Sequence, residues 1–378
     1  MEPTWQGPLL TRRQQLAGIA GGLSMGALPS ALWAADGTQS LRDLAAQKGI
    51  LFGSAINAGR GSPINDPAYR AIVARECGVI VPENEMKVYV LGDDPARLNF
   101  GPADRIAGFA RDNRMKLRGH TLLWNYGKYI SPALAETVTK TGAEKWLRSY
   151  IAAVAGHFGD QIYSWDVVNE TIDPKTGEVR GTVFDKALGF DVFKIAYGAA
   201  REHAPKAQRV YNDYMSWEVG NETHRAGVLR LLERFRKENV PVDALGIQSH
   251  LGNDGSHSKV QRAEWKRFLD SVTAMGYRLL ITEFDINDRE MPKDVAQRDA
   301  QVASVAKSYL DMMLSYPQLD QFLCWGLWDK HSWLNGFAPR ADGLPQRPLP
   351  YDDALKPKPL RAAIADALRA APVRKGIA

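Results

Sequence analysis

Cysteine is nearly absent. Cys77 and Cys324 are the only two in 378 residues, which excludes a disulfide framework and any metal site built from several thiolates. Two buried free thiols are expected, and a single disulfide between them stays open at this level. Histidine is scarce too, with seven in the chain, and no pair has the His-x-x-x-His spacing of a helical metal site. No metal and no cofactor are expected. An excess of one charge is missing: 48 Lys and Arg against 43 Asp and Glu leave +5. The basic residues are scattered rather than striped, which argues against nucleic acid as a partner. No Pro/Ser/Gly-rich linker marks an appended module, and nothing repeats beyond an alternation of strand and helix. What is present, 45% hydrophobic and 24% charged residues, is the composition of a soluble globular protein. The length suits one large domain or two ordinary ones, and a monomer is expected.

The N-terminus is set apart. Thr11-Arg12-Arg13-Gln14-Gln15-Leu16 precedes a weakly apolar run from Ala17 to Ala35 that carries four glycines and Pro29. It resembles a bacterial twin-arginine export signal. Ala31, Ala34 and Ala35 supply small residues for cleavage near Ala34 or Ala35. The competing reading is a membrane anchor, but the Gly-rich, Pro-broken run suits a signal better than a span. No other segment approaches the ~20 apolar residues of a spanning helix, so no membrane association is expected once the signal is removed. Residues 1–35 are read as a signal, residues 36–378 as one domain, and the destination as periplasmic or secreted.

From residue 50 onward strands and helices alternate. Strands are predicted at Ile50–Ala55, Val79–Pro82, Lys116–Trp124, Ile162–Asn169, Arg209–Asp213, Ala244–His250, Arg278–Phe284 and Gln321–Leu327. Between them lie helical patterns such as Asp66–Cys77, Gly142–Phe158, Glu222–Glu238 and Asp294–Ser315, and Pro359–Ala370 closes the chain. Eight strand–helix repeats in one run predict an α/β fold, a single (β/α)8 TIM barrel.

In such a barrel, residues at the carboxyl ends of strands face the site of chemistry. Tyr163–Glu170 is an apolar, aromatic strand that ends in Asn169 and Glu170. Leu279–Asp285 is a second apolar strand, and it ends in Glu283. A lone strand-end glutamate is ordinarily an ion-pair partner. Two of them in one barrel suit the acid and the nucleophile of glycoside cleavage. Glu170 is the candidate acid/base and Glu283 the candidate nucleophile. The Asn169 amide is placed to hydrogen-bond the sugar's 2-hydroxyl, a contact that strengthens in the transition state. His250 ends the sixth strand, and Asp285 shares a strand face with Glu283, so a Glu283–His250–Asp285 chain is expected to fix the nucleophile. Zinc held by His120, His250 and Glu283 is the alternative, and the spacing speaks against it. A carboxyl separation of ~5–5.5 Å gives retention and a wider one inversion, which spacing in sequence leaves open.

These stretches carry a resemblance. Trp165–Glu170 and Ile281–Ile286 resemble the acid/base and nucleophile signatures of glycoside hydrolase family 10, the endo-β-1,4-xylanase family, and the likeness runs from about Leu41 to the last helix. The resemblance implies retention. It also implies that His250 holds the nucleophile, that Gln248 bonds the acid/base, and that His120 in Arg118–Trp124 binds the sugar at the cleavage point. Glu83, Asn84 and Lys87, in Pro82–Lys87, match residues that bind the non-reducing-side sugars. Trp325 and Trp333 match the walls of the cleavage site, while Trp124 and Tyr214 are further sugar contacts. Aromatic faces suit sugar rings because the axial C–H groups form an apolar surface.

Two departures stand out. Family members usually continue His-Ser-Gln after Trp124, the Gln helping to bind the second sugar, and here Asn125-Tyr126-Gly127 stand instead. Val88 occupies the place of an aromatic that often follows the Lys. Both bear on the non-reducing side and turn preference toward decorated xylan or short oligosaccharides. The expected function is a retaining endo-1,4-β-xylanase whose partner is xylan or xylo-oligosaccharide. The alternatives are another polysaccharide cleaved on the same fold, or a carbohydrate-binding barrel without activity.

Overall fold

The structure is a computed structural model that describes residues 39–59, 61–252, 257 and 259–374. The export signal read at residues 1–35 lies outside the described residues. Nine strand segments occur among the described residues: β1 (Leu51–Ile56), β2 (Val79–Pro82), β3 (Lys116–Trp124), β4 (Ile162–Asn169), β5 (Gln208–Asp213), β6 (Ala244–Ile247), β7 (His250–Leu251), β8 (Arg278–Ile286) and β9 (Leu319–Cys324). All ladder pairs between them are parallel, in the order β6-β5-β4-β3-β2-β1-β9-β8-β7, and a further β6–β8 pairing closes the ring. The segments β6 and β7 form one stave, so the architecture is a (β/α)8 barrel.

The staves are buried along nearly their whole length because both faces are covered, by barrel interior and by helices. The helix Ala143–Phe158 shows how the outer layer forms. Trp146, Leu147, Tyr150, Ile151, Val154 and Phe158 recur at helical spacing and are buried; each such side chain contributes ~1.5–3 kcal/mol. Asp66 caps the helix Pro67–Glu76 through the N–H groups of Ala68 and Tyr69, and Asp294 caps Val295–Met313 through that of Gln297. Polar side chains meet near the amino-terminal ends of the strands: Tyr163 donates to Gln321 at 2.8 Å, and Gln321 and Ser164 donate to Gln208 at 2.8 and 3.0 Å. Gly119 is required by packing, since a Cβ there would meet the Trp165 ring at 2.1 Å.

Three expectations need correction. The sixth stave is not one strand from Ala244 to His250. It breaks at Gln248–Ser249, where Ser249 takes φ +63°, a left-handed conformation that extended pairing cannot contain. The last stave ends at Cys324, so Trp325 begins a loop. Helices at Leu41–Ala46, Pro132–Thr141 and Val183–Leu188 were not foreseen. Both cysteines are buried and unpaired.

Candidate active site

The carboxyl ends of the staves open into one cleft of about 910 Å3, the size of a site that encloses a ligand of several rings. Glu83, Asn84, Lys87, His120, Trp124, Glu170, Tyr214, Gln248, His250, Glu283, Trp325 and Trp333 all line it. Asn169 and Asp285 are buried and bond to residues of that wall.

Glu283 is 4% exposed. Along β8 the side chains alternate, so Glu283 and Asp285 share a face. β7 pairs His250 with Asp285, which brings the imidazole between the two carboxylates. Its Nδ1 is 2.8 Å from Asp285 and its Nε2 3.2 Å from Glu283. Burial opposes a charge on His250, but the two carboxylates outweigh it, Asp285 first, and raise its pKa to about 10. Burial likewise pushes Glu283 up. The His250 bond and the nearby charges of His120, His250 and Lys87 outweigh that and bring it to about 2. Glu283 is therefore an ionised, oriented carboxylate.

Glu170 differs in kind. Its pKa lies above the ordinary carboxylate value, mainly through burial; the Gln248 bond opposes the rise, and the charges of Glu283 and Asp213 add to it. Gln248 donates to Glu170 Oε1 at 2.9 Å, and the Asn169 amide donates to the same oxygen at 3.2 Å. Two carboxyls whose environments push their pKa values apart form an acid and a base in one site.

A residue missed in sequence joins them. Asn212, at the end of β5, donates from Nδ2 to Glu283 Oε1 at 2.7 Å and to Asn169 Oδ1 at 2.9 Å. Its own oxygen accepts from Thr282 at 2.7 Å, which fixes the orientation of the amide. Asn212 carries the same strand-end signal as Asn169, an amide closing an apolar strand, and could have been found by it. Asp166 was also passed over. Inside the barrel it pairs with Arg118 and accepts from His120 Nδ1 at 2.8 Å, so the His120 ring is oriented with Nε2 free. A carboxylate in the middle of a buried apolar strand was the available signal.

The remaining contacts form the walls. Glu83 accepts from Asn57 at 2.8 Å, and Asn84 accepts from Tyr89 at 2.6 Å. Lys87 is buried with its ammonium 4.5 Å from the Trp124 ring and 5.7 Å from that of Trp325. Tyr129 stacks on Trp124 at 3.6 Å and 21°. An ammonium and a stacked ring that close cannot share one face, so Trp124 is sandwiched and presents its edge, not a face, to the cleft. Trp325 and Trp333 stand around His250 at 6.2 and 4.9 Å, and the Trp333 indole donates to Asp285 at 2.6 Å.

Asn125 does not enter the cleft. It is fully buried, donates to Thr171 at 2.8 Å and Asp185 at 3.0 Å, and accepts from Thr182 at 2.7 Å. It ties the end of β3 to the capped helix Val183–Leu188. Tyr126 and Tyr129 face the cleft instead. Among the described residues no cluster of His, Cys, Asp and Glu has the arrangement of a metal site, and no helix is long and apolar enough to cross a membrane.

Known proteins are similar to this chain over most of its length. A family model described as glycosyl hydrolase family 10 matches residues 40–367. Endo-1,4-beta-xylanase 5 of Pyricularia oryzae is 32% identical over 347 residues, covering 89% of this chain and 80% of that protein. A beta-1,4-xylanase of Dictyoglomus thermophilum is 30% identical over 309 residues, 79% of this chain and 84% of the relative. Among solved structures, xylanase 10B of Thermotoga petrophila RKU-1 in complex with xylobiose superposes with a TM-score of 0.77 at 28% identity, covering 88% of this chain and 97% of the other. Native xylanase 10B of Thermotoga maritima gives 0.76 at 29%, covering 87% and 98%.

Proposed function

This chain belongs to glycosyl hydrolase family 10, and from that premise we propose that it cleaves xylan with Glu283 as nucleophile and Glu170 as acid/base. It is an endo-1,4-β-xylanase acting on the internal bonds of xylan and on xylo-oligosaccharides. The observation that carries the residue assignment is the opposed state of two carboxyls in one cleft: Glu283 held near pKa 2 and Glu170 raised.

The chemistry follows in two displacements. Glu283 attacks the anomeric carbon while the protonated Glu170 gives its proton to the leaving oxygen. Forming the glycosyl ester removes the negative charge of Glu283. That charge helps hold Glu170 protonated, so its loss lowers the Glu170 pKa and turns the acid into the base that activates water. Water then releases the sugar with its original anomeric configuration. Retention is our reading because the family resemblance implies it, with the second carboxylate as the attacking group; the Asn169 and Asn212 amides tie the two carboxyls into one hydrogen-bonded chain. Proton NMR of the first product anomer tests it: initial α-xylose ends would refute it.

Substrate class and nucleophile are tested together by reducing-sugar release from xylan, β-glucan and mannan, with the wild type and Glu283→Ala. Release from xylan that vanishes in the variant supports both assignments, and equal release from β-glucan or mannan would overturn the substrate. The sandwiched Trp124 and the tyrosines after it favour a second component, an altered preference on the non-reducing side. Its mark is a product pattern on unsubstituted xylan unlike that of other family members.

We also propose export by the twin-arginine route to the periplasm or beyond, from Arg12 and Arg13 before a weakly apolar run. Replacing both with lysine should leave the protein in the cytoplasm. A monomer is proposed as well, to be checked by light scattering.

A further inference from the structure

Arg180 lies in the loop between β4 and the helix Val183–Leu188, and neither the catalytic pair nor the sugar contacts account for it. Its Nε donates to the backbone carbonyl of Glu170 at 2.9 Å. Its Nη2 donates to the Tyr214 hydroxyl at 2.7 Å. The guanidinium carbon lies 3.8 Å from the centre of the Tyr126 ring, and Nη1 is 3.8 Å from Asp173. A planar fork meets a carbonyl, a phenol and a ring face at once, which an ammonium cannot do.

The contact with Glu170 falls at an unusual place. Glu170 has φ +54°, a left-handed conformation that a side chain of this kind rarely adopts and that persists only where the surroundings enforce it. Both backbone polar groups of Glu170 are held. Its N–H donates to the carbonyl of Asn212 on β5 at 2.9 Å, and its carbonyl accepts from Arg180. One anchor belongs to the barrel. The other belongs to a cleft wall, since Tyr126 and Tyr214 both line the cavity. Without Arg180 the residue keeps one anchor, and its backbone can relax toward an ordinary φ. That rotation swings the carboxyl away from the leaving oxygen.

We propose that Arg180 is a positioning residue that holds Glu170 in its left-handed backbone and couples the acid to the wall formed by Tyr126 and Tyr214. It rests on the reading of Glu170 as the acid/base. Arg180 touches no reacting atom and acts through Glu170.

The test compares kcat/KM, which reports the first displacement, on two aryl xylobiosides. Phenol needs a proton to leave, whereas dinitrophenol does not. Arg180→Ala should lose roughly 100-fold on the phenyl substrate, the scale of a misplaced catalytic group, and stay within about threefold on the dinitrophenyl substrate. The alkaline limb of its pH profile should also move. Equal losses on both substrates, or no loss on either, overturn the proposal. Glu170→Ala is the control: if it shows no such selectivity, the acid/base assignment itself fails, whereas selectivity in Glu170→Ala alone sinks only the role of Arg180. Should Arg180→Ala not fold, Arg180→Lys is judged by the same criterion, because it keeps the charge over Tyr126 and loses the fork.

Discussion

Replacing His250 with alanine should make the nucleophile titrate in the working range. In the wild type, Glu283 is drawn from the ordinary glutamate value of 4.5 to about 2 against the effect of burial. That corresponds to ~3 kcal/mol in favour of the ionised form. The imidazolium bond at 3.2 Å is the largest of the opposing influences. A hydrogen bond to a charged group contributes ~1.5–3 kcal/mol, so its removal should raise the nucleophile by ~1–2 units. The Asn212 bond at 2.7 Å and the charge of Lys87 remain, and they keep the rise from being larger. The acid limb should move from about 2 to ~4. The assay is covalent trapping by a fluorinated xylobioside with a dinitrophenyl leaving group, from about pH 3 to about pH 7. This reaction needs the ionised nucleophile and no acid. The wild-type rate should be flat across that range, and the His250→Ala rate should fall roughly tenfold per unit below ~4. Circular dichroism at each pH separates titration from unfolding. A folded variant with a profile as flat as the wild type would refute the claim that His250 keeps Glu283 charged.

The same histidine sets a stability gradient. Unfolded, it releases its proton near pH 6.5, and folded it keeps the proton to about 10. Its contribution is therefore complete below pH 6.5 and is lost as pH rises through about 10, at up to ~1.4 kcal/mol per pH unit. Melting temperatures of wild type and His250→Ala should converge over that window, and parallel curves would contradict this. Asn212→Ala removes the donor shared by Glu283 and Asn169, so kcat/KM on xylan should fall by about 100-fold. A loss in Tm with unchanged kcat/KM would make Asn212 merely structural. Asn125→Ala should cost ~1–3 kcal/mol in urea unfolding, because it leaves the buried Thr171 hydroxyl without its amide partner and removes one bond each from Thr182 and Asp185, and leave aryl xylobioside hydrolysis within about threefold. A variant of native stability with altered products would place Asn125 in the cleft after all.

Much of the barrel is legible in the chain because its signals are local. An apolar run of strand length that stops at Asn169-Glu170 or Glu283 reports both the stave and the side of the barrel it points to. Helices with a caps-and-period signature, such as Pro67–Glu76, are found to within a residue or two. The break between β6 and β7 is not local. Gln248, Ser249 and His250 continue a plausible strand, and only the geometry at Ser249 turns His250 onto β8 beside Asp285. Arg180 is less legible still. It sits in an irregular loop, and its partners Glu170, Tyr126 and Tyr214 come from three different stretches of chain. No period or spacing announces such a meeting.

Asn125 is the instructive case, because the signal was present. Side chains alternate along an extended segment. Trp124 lines the cleft, Asn125 is buried away from it, and Tyr126 lines it again. Reading Asn125-Tyr126-Gly127 as one altered sugar contact treats three consecutive residues as if they faced the same way. Alternation assigns them opposite duties. Asn125 fastens β3 to the helix that follows Arg180, through Thr182 and Asp185. Tyr126 carries the Arg180 guanidinium on its face. The departure from the family pattern is then not simply a lost contact to the second sugar. It supplies the aromatic base on which the anchor of the acid rests, and two residues after Gly127 the Tyr129 ring stacks on Trp124. A change in preference on the non-reducing side and a change in the support of Glu170 thus arise from the same few residues, and substituting Tyr126 alone should disturb both.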